Sequence, residues 1–300
     1  MAAPEKAQLP VLDTRMTPHQ ALQLAVRESL RHLQANVLGI LDSDQPECVH
    51  QARVALRRLR STQKAFTAIL DDDLHVLMSE GQWLASTLGS LRDLDVFLSE
   101  TLPGIETALQ SDANFNPLKT AMQKRRDYYR VEVHSALAST RYKTFLRHLK
   151  AWLKRPRPAE TMKSAPLREF ANQAISRTWR SVDRLAREWE SLSLEERHDL
   201  RKRAKKLRYT IEIFSSLYKR KRVERYLGRL QELQDILGKM NDCVAAQALL
   251  AQFIQKDMGL AHSAGLIAGW LAHEAQQSEA GLVHVLKRLE RTSAFWINKA

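Results

Sequence analysis

The chain repeats itself at an offset of 148 residues, and this duplication limits its folds more than any other feature, because two copies of one pattern ask for two related structural units. His50-Gln-Ala-Arg53-Val-Ala-Leu-Arg57-Arg58-Leu59-Arg60 returns as His198-Asp-Leu-Arg201-Lys-Arg-Ala-Lys205-Lys206-Leu207-Arg208, and Phe66 and Phe214 extend the match. A second block follows in the same order: Leu84 and Leu88-Gly89-Ser-Leu-Arg92-Asp93 against Leu233 and Leu237-Gly238-Lys-Met-Asn241-Asp242. His50 to Gly89 spans 39 residues and His198 to Gly238 spans 40, so two elements recur at nearly constant spacing.

Both blocks read as helix. Leu22, Val26, Leu30, Leu33, Val37 and Ile40 keep helical spacing behind Thr17-Pro18, an N-cap followed by a first-turn proline, and predict a helix to about Leu41. The same periodicity predicts helices over roughly 47–70, 74–98, 117–138, 141–153, 167–190, 194–217, 221–256, 260–277 and 280–297, with no sustained period-two alternation. Pro103-Gly104 is expected to interrupt the helix over 74–98. Three prolines between Arg155 and Pro166 predict an extended connection near the midpoint. The expected organisation is all-α: a flexible lead-in over 1–16, a first helical-bundle repeat over 17–154, a Pro-rich linker over 155–166 and a second helical-bundle repeat over 167–300.

The repeated stripe is amphipathic in an unusual sense. At about 100° per residue, His50, Arg53, Arg57, Arg60 and Lys64 fall within an arc of about 80°, opposite Ala52, Leu56, Leu59 and Phe66. The second copy places His198, Arg201, Lys205 and Arg208 opposite Leu200, Ala204, Leu207 and Phe214, and departs at Glu212, which stands where Lys64 stands. That glutamate either shortens the second cationic track or supplies an internal salt bridge. Like charges at i,i+3 and i,i+4 cost roughly 0.2–0.5 kcal/mol per pair, so the ladder invites a bound anion. His50 to Arg60 covers roughly 15 Å, the length of several consecutive phosphates rather than one small ligand, and arginine adds two-pronged hydrogen bonding to phosphate oxygens. The alternative is a solvated face, or one neutralised by neighbouring carboxylates; duplication argues against it, as does the run from 201 to 225, with eleven Lys/Arg against two Glu. Weaker cationic rows at Lys119, Arg126 and Arg130, at Arg222, Arg225 and Arg229, and at Lys287 and Arg291 each read singly as surface.

A formal net charge of +13 is consistent with this, since self-repulsion on that scale calls for an anionic partner: nucleic acid, a membrane surface or a phosphate polymer. The most apolar stretch, Gly259 to Ala272, is broken by His262 and Ser263 before membrane-spanning length, so no membrane insertion is expected. Two cysteines, Cys48 and Cys243, make no disulfide framework and predict core thiols of a cytoplasmic protein. His50 and His198 sit among arginines that would repel a metal cation, and no HxxxH, ExxH or Cys/His spacing accompanies them, so no metal site and no cofactor is predicted. Each histidine either meets phosphate or holds a neighbouring helix. Asp93 and Asp242, one per repeat, are expected to orient arginines rather than to perform acid–base chemistry. With no Gly-rich phosphate loop and no nucleophile elbow, no catalytic residues are assigned and the protein is expected not to be an enzyme.

Val49 to Arg60, Leu91-Arg92-Asp93-Leu94-Asp95, Leu200 to Tyr209 and Leu233 to Asp242, in this order, closely resemble the CHAD family, the conserved histidine α-helical domain. The resemblance spans about residues 17 to 298. It implies two four-helix bundles related by a pseudo-twofold, with basic surfaces facing a shared cavity or groove that binds inorganic polyphosphate, and association with polyphosphate granules. Carried over residue by residue, it assigns polyphosphate binding to His50, Arg53, Arg57, Arg60, His198, Arg201, Lys205 and Arg208, to which the cationic arc adds Lys64. Family members are often fused to a CYTH-type triphosphatase whose E-x-E-x-K signature is absent here, so a stand-alone binding module is expected. Nucleic acid is the second choice of partner, because the same phosphate contacts would hold it without sequence preference; few residues on the stripes could read base edges or stack bases.

Overall fold

The computed structural model describes residues 3–43, 45–109, 114–155, 166–279 and 281–297. Among them there is no strand, and no helix is long and apolar enough to cross a membrane. In chain order the helices are α1 (Pro18–Asp42), α2 (Pro46–Ala65), α3 (Asp72–Val96), α4 (Leu102–Leu109), α5 (Asn116–Ala138), α6 (Thr140–Lys154), α7 (Leu167–Arg187), α8 (Leu194–Phe214), α9 (Arg220–Ile254), α10 (Ala261–Glu279) and α11 (Leu282–Glu290). The starts of α2 and α8, and of α3 and α9, lie 148 residues apart, the repeat offset. Local chemistry sets the first turns. Thr17 Oγ1 accepts from the Gln20 amide while the Gln20 side chain accepts from the Thr17 amide, and Ser193 and Glu196 close the same capping box on α8.

The chain departs from the expected elements at three places. Pro103-Gly104 does not end the third helix. A π-helical turn over Phe97–Thr101 widens the path, Leu102 N–H reaches back to the Phe97 carbonyl, and Pro103 falls in the first turn of α4, where its missing N–H is tolerated. The last helix stops at Glu290. The Thr292 hydroxyl donates to the Arg288 carbonyl, and the chain then turns so that Trp296, 1% exposed, packs edge-on against Tyr226 at 4.8 Å. The lead-in expected to be flexible is packed: Leu12 is buried, its amide and carbonyl both bonded to the Ser216 hydroxyl, and the Glu5 backbone is pinned to His32 and Asn36 of α1. Of the linker expected over 155–166, residues 156–165 lie outside the described residues.

The apolar core is not divided at the repeat boundary. One buried cluster joins Leu33, Leu56 and Trp152 to Ile175, Leu207 and Leu230; the other joins Phe97, Ile105 and Met122 to Cys243, Phe253 and Ile267. Cys48 and Cys243 are buried free thiols, and burial pushes both up in pKa. At the seam where α2 meets α8, repeat-equivalent side chains meet each other. Phe66 lies 5.3 Å from Phe214, with Phe170 stacked on Phe66 at 5.3 Å. Beside this aromatic contact, Arg58 Nη2 of α2 donates to Glu212 Oε2 of α8 at 2.5 Å, and Glu212 Oε1 accepts from Arg208 Nε at 2.9 Å. Glu212 therefore acts as an internal salt bridge, tying one repeat to the other.

A second close approach separates the two copies. The Arg53 guanidinium of α2 lies over Gly89 of α3, where an added Cβ would collide with it, and Arg53 Nη1 donates to the Ala85 carbonyl at 3.0 Å. Gly238, the repeat equivalent of Gly89, has open space around its would-be Cβ.

Two outcomes follow in urea denaturation. Glu212→Ala strands the Arg58 guanidinium, 13% exposed, at the seam and should lower unfolding free energy by about 3 kcal/mol; a loss below about 1 kcal/mol would mean that Arg58 is rehydrated there. Gly238→Ala should stabilise the protein by about 0.5–1 kcal/mol through helix propensity. Gly89→Ala should gain little stability and should weaken polyanion binding, because it displaces Arg53; equal behaviour of the two variants in both assays would remove Gly89 from that role.

Candidate polyanion-binding site

The apolar sides of α2 and α8 are buried at the seam, so their cationic sides are held close together. Between α2 and α3 runs a groove of about 430 Å³, lined by Arg53, Arg57 and Arg60 on one side and by Gly81, Ala85, Ser86, Gly89 and Asp93 on the other. It shares Arg53, Arg57 and Asp93 with a second cavity of about 550 Å³, where α2 and α3 face the middle of α9 and whose wall includes His50, Arg92, Arg201 and Asp242. The two spaces share these walls, so a track of adjoining spaces extends from Arg60 past Arg57 and Arg53 to Arg201.

Five of the nine residues singled out from the sequence line this track: His50, Arg53, Arg57, Arg60 and Arg201. The other four line neither space. Lys205 is half-buried behind them. Lys64 is exposed and acts electrostatically on Lys206, whose pKa is lowered by burial and then by Lys64 and Arg177. This Lys64–Lys206 approach is the repeat image of the Arg58–Glu212 bridge, with repulsion in place of attraction. His198 is exposed, unlike the half-buried His50. Arg208 is held through Nε and Nη1 by Glu212, Gln231 and Gln234 and lines neither space.

The expectation of two equivalent cationic faces thus meets an asymmetric molecule, and the cause is side-chain size on the facing helix. At the offset of the second block, 149 residues, Gly81, Ala85 and Ser86 correspond to Leu230, Gln234 and Asp235. Small residues leave the α2–α3 groove open. In the second copy Gln234 donates to the Ala204 carbonyl at 2.9 Å and accepts from Arg208, so the matching space between α8 and α9 is filled.

Electrostatics along the track are those of a charge surplus in partial burial. Arg57 Nε and Arg201 Nε are buried without a hydrogen-bond partner in the described protein. Arg201 reaches Asp242 at 3.4 Å, a long hydrogen bond at best. Lys205 is pulled down from 10.5 to about 8 by burial and then by Arg201 and Arg57. Burial and then Arg92 lower His50 and so favour its neutral form. Burial raises Asp93, and its repeat equivalent Asp242 adds to the rise against the opposing pull of Arg53. The two aspartates therefore sit close together and beside arginines, as orienting groups would.

Sequence reasoning missed Arg92, which lines the cavity beside His50 and bonds Glu100 at 3.2 Å. Its signal was in the repeated Leu-Gly block, but the second copy has Asn241 there, which concealed it as a cationic position. Among the described residues no group of three or more His, Cys, Asp or Glu gathers where a metal ion could be held.

The CHAD domain family model matches residues 24–251. The crystal structure of the CHAD domain from the plant Ricinus communis is 30% identical, with 97% of this chain and 98% of that chain covered and a TM-score of 0.85. PptA from Streptomyces chartreusis, 18% identical over 90% of this chain and 99% of its own with a TM-score of 0.70, shares the fold. No curated protein matches the sequence. A family match across most of the chain, together with a near-complete likeness to a solved CHAD domain, makes this protein a member of the CHAD domain family.

Proposed function

We propose that this chain binds inorganic polyphosphate, without transforming it, along the track between α2, α3 and α9. The CHAD family is known for binding polyphosphate, and the geometry suits that ligand. Arg57 and Arg201, from different repeats, bring buried guanidinium nitrogens without protein partners to one cavity. Unmatched buried donors are costly, and a phosphate oxygen satisfies both the hydrogen bond and the charge. The unpartnered donors of Arg57 and Arg201 are buried, which favours a thin chain of phosphates that can reach them over a duplex. Asp93 and Asp242 serve to aim arginines: each stands beside a cation of its own repeat, Arg53 and Arg201, and neither is placed against a nucleophile. Such a protein would act in the cytoplasm, where polyphosphate granules offer the ligand.

Replacing Arg57→Glu together with Arg201→Glu should weaken binding of long-chain polyphosphate by at least about a hundredfold, since each charge-assisted bond contributes roughly 1.5–3 kcal/mol, while far-UV circular dichroism keeps its helical signal. Competition at matched salt against duplex and single-stranded nucleic acid tests the partner; tighter binding of either nucleic acid would replace polyphosphate as the ligand, and unchanged affinity of the double variant would move the site elsewhere.

The pH dependence has a definite sign. Lys205 in the free protein titrates near pH 8, and a bound polyanion favours its charged form and raises that value. Below about pH 8 the lysine is charged in both states and contributes no slope; above it, binding must take up a proton, so affinity falls as pH rises, by up to about tenfold per unit. Lys205→Arg should flatten this fall. An identical slope in that variant would assign the titration to another group.

A further inference from the structure

On the far side of α9 lies a larger pocket, of about 1030 Å³, walled by Arg168 of α7, Arg222, Arg225 and Arg229 of α9, Arg288 of α11 and Arg291 just beyond it, with Phe295 and Ile297 among its apolar lining. The sequence showed two of these rows separately, and each read singly as surface. The fold closes them into one wall. At about 100° per residue, Arg222, Arg225 and Arg229 lie about 150° around α9 from Gln231, Gln234 and Asp242, which face α8 and the central track. Arg229 and Asp242 are also about 20 Å apart along the helix axis. The pocket is separate from the track.

Six guanidinium groups line the pocket, and among the described residues the acid paired with them is Glu232, which takes Arg229 at 2.6 Å and Arg288 at 3.4 Å. Arg168 rests over the Tyr218 ring at 5.6 Å. The side chains of Arg222, Arg225 and Arg291 make no ion pair and no hydrogen bond among the described residues. The first repeat shows how the same surface looks when it is self-sufficient. There the equivalents of Arg222 and Arg229, at the offset of 149, are Asp73 and Glu80, which pair with Arg155 and Arg141 from α6 and the residue that follows it. In the second repeat arginines stand at both positions, and α11 adds Arg288 beside them. The lining holds no lysine. Planar forks, rather than mobile point charges, suit a ligand whose oxygens are grouped in threes on tetrahedral centres.

We propose that this arginine-walled pocket is a second binding site, independent of the central track, for an anion carrying several adjacent phosphoryl groups. Its volume admits a ligand larger than one phosphate, and its charge surplus exceeds what one phosphate would offset.

Calorimetry with tripolyphosphate on the full chain, at constant ionic strength, tests the site, because this probe is too short to span both the track and the pocket. The wild-type protein should bind at two sites per chain. Arg222→Ser with Arg225→Ser and Arg291→Ser should remove one site, or weaken it by at least about tenfold, and leave the other; Arg57→Glu with Arg201→Glu should do the reverse. All altered side chains of the triple variant are exposed, and an unchanged melting curve checks its fold. A single wild-type site that the triple variant leaves intact would overturn the proposal, as would sulfate binding the pocket as tightly as tripolyphosphate. Loss of the track site alone in the Arg57/Arg201 variant supports both sites, whereas retention of tripolyphosphate and long-chain polyphosphate by that variant, with loss in the triple variant, leaves the pocket standing and removes the track.

Discussion

The packing of α2 on α8 is the constraint on which the rest of the structure depends. Each helix has one apolar and one cationic side, and burying the apolar sides at a common seam leaves the cationic sides close together. Phe66 and Phe214, both fully buried, illustrate the driving force: burial of side chains of this size contributes roughly 1.5–3 kcal/mol each, more than the few tenths lost at each like-charge approach. Hydrophobic burial therefore sets the position of the guanidinium groups, and repulsion is tolerated as its consequence. The depressed Lys205 and the unpartnered Nε atoms of Arg57 and Arg201 record that tolerance.

Divergence after duplication turned a symmetric pattern into a directional one. Where the first copy has Lys64 the second has Glu212, and that seam contact is a buried bridge which also holds Arg208. Where Ala85 became Gln234, the second groove was filled. Where the first copy has Asp73 and Glu80 the second has Arg222 and Arg229, and a cationic pocket stands in place of a paired surface. Each change alters one side chain on an unchanged backbone plan. Helical duplicates tolerate such changes because their cores are carried by the apolar positions, which both copies keep.

The histidines show how far equivalent positions can diverge. His50 is half-buried against Arg92 and held toward its neutral form, while His198 stands in solvent. A role shared by both copies cannot rest on histidine chemistry; Arg53 and its equivalent Arg201 both line the cavity against α9, although Arg53 is bonded to Ala85 and Arg201 to Asp242.

What the sequence determined by itself is local and periodic: the all-helical class, most helix boundaries, the capping of α1, the repeat and its register, and the amphipathic split of α2 and α8. These are legible because helical periodicity, N-caps and like-charge ladders act over about four residues. Only the tertiary structure decided which cations share a space. Gln231 and Gln234 of α9 come beside Arg208, Arg92 comes beside His50, and Arg222, Arg225 and Arg229 join Arg291, with Arg288 in place of Lys287, only through α9 meeting α11. Pairing between groups far apart in sequence depends on side-chain length and on how helices cross, and neither is encoded in the spacing of residues along a single helix.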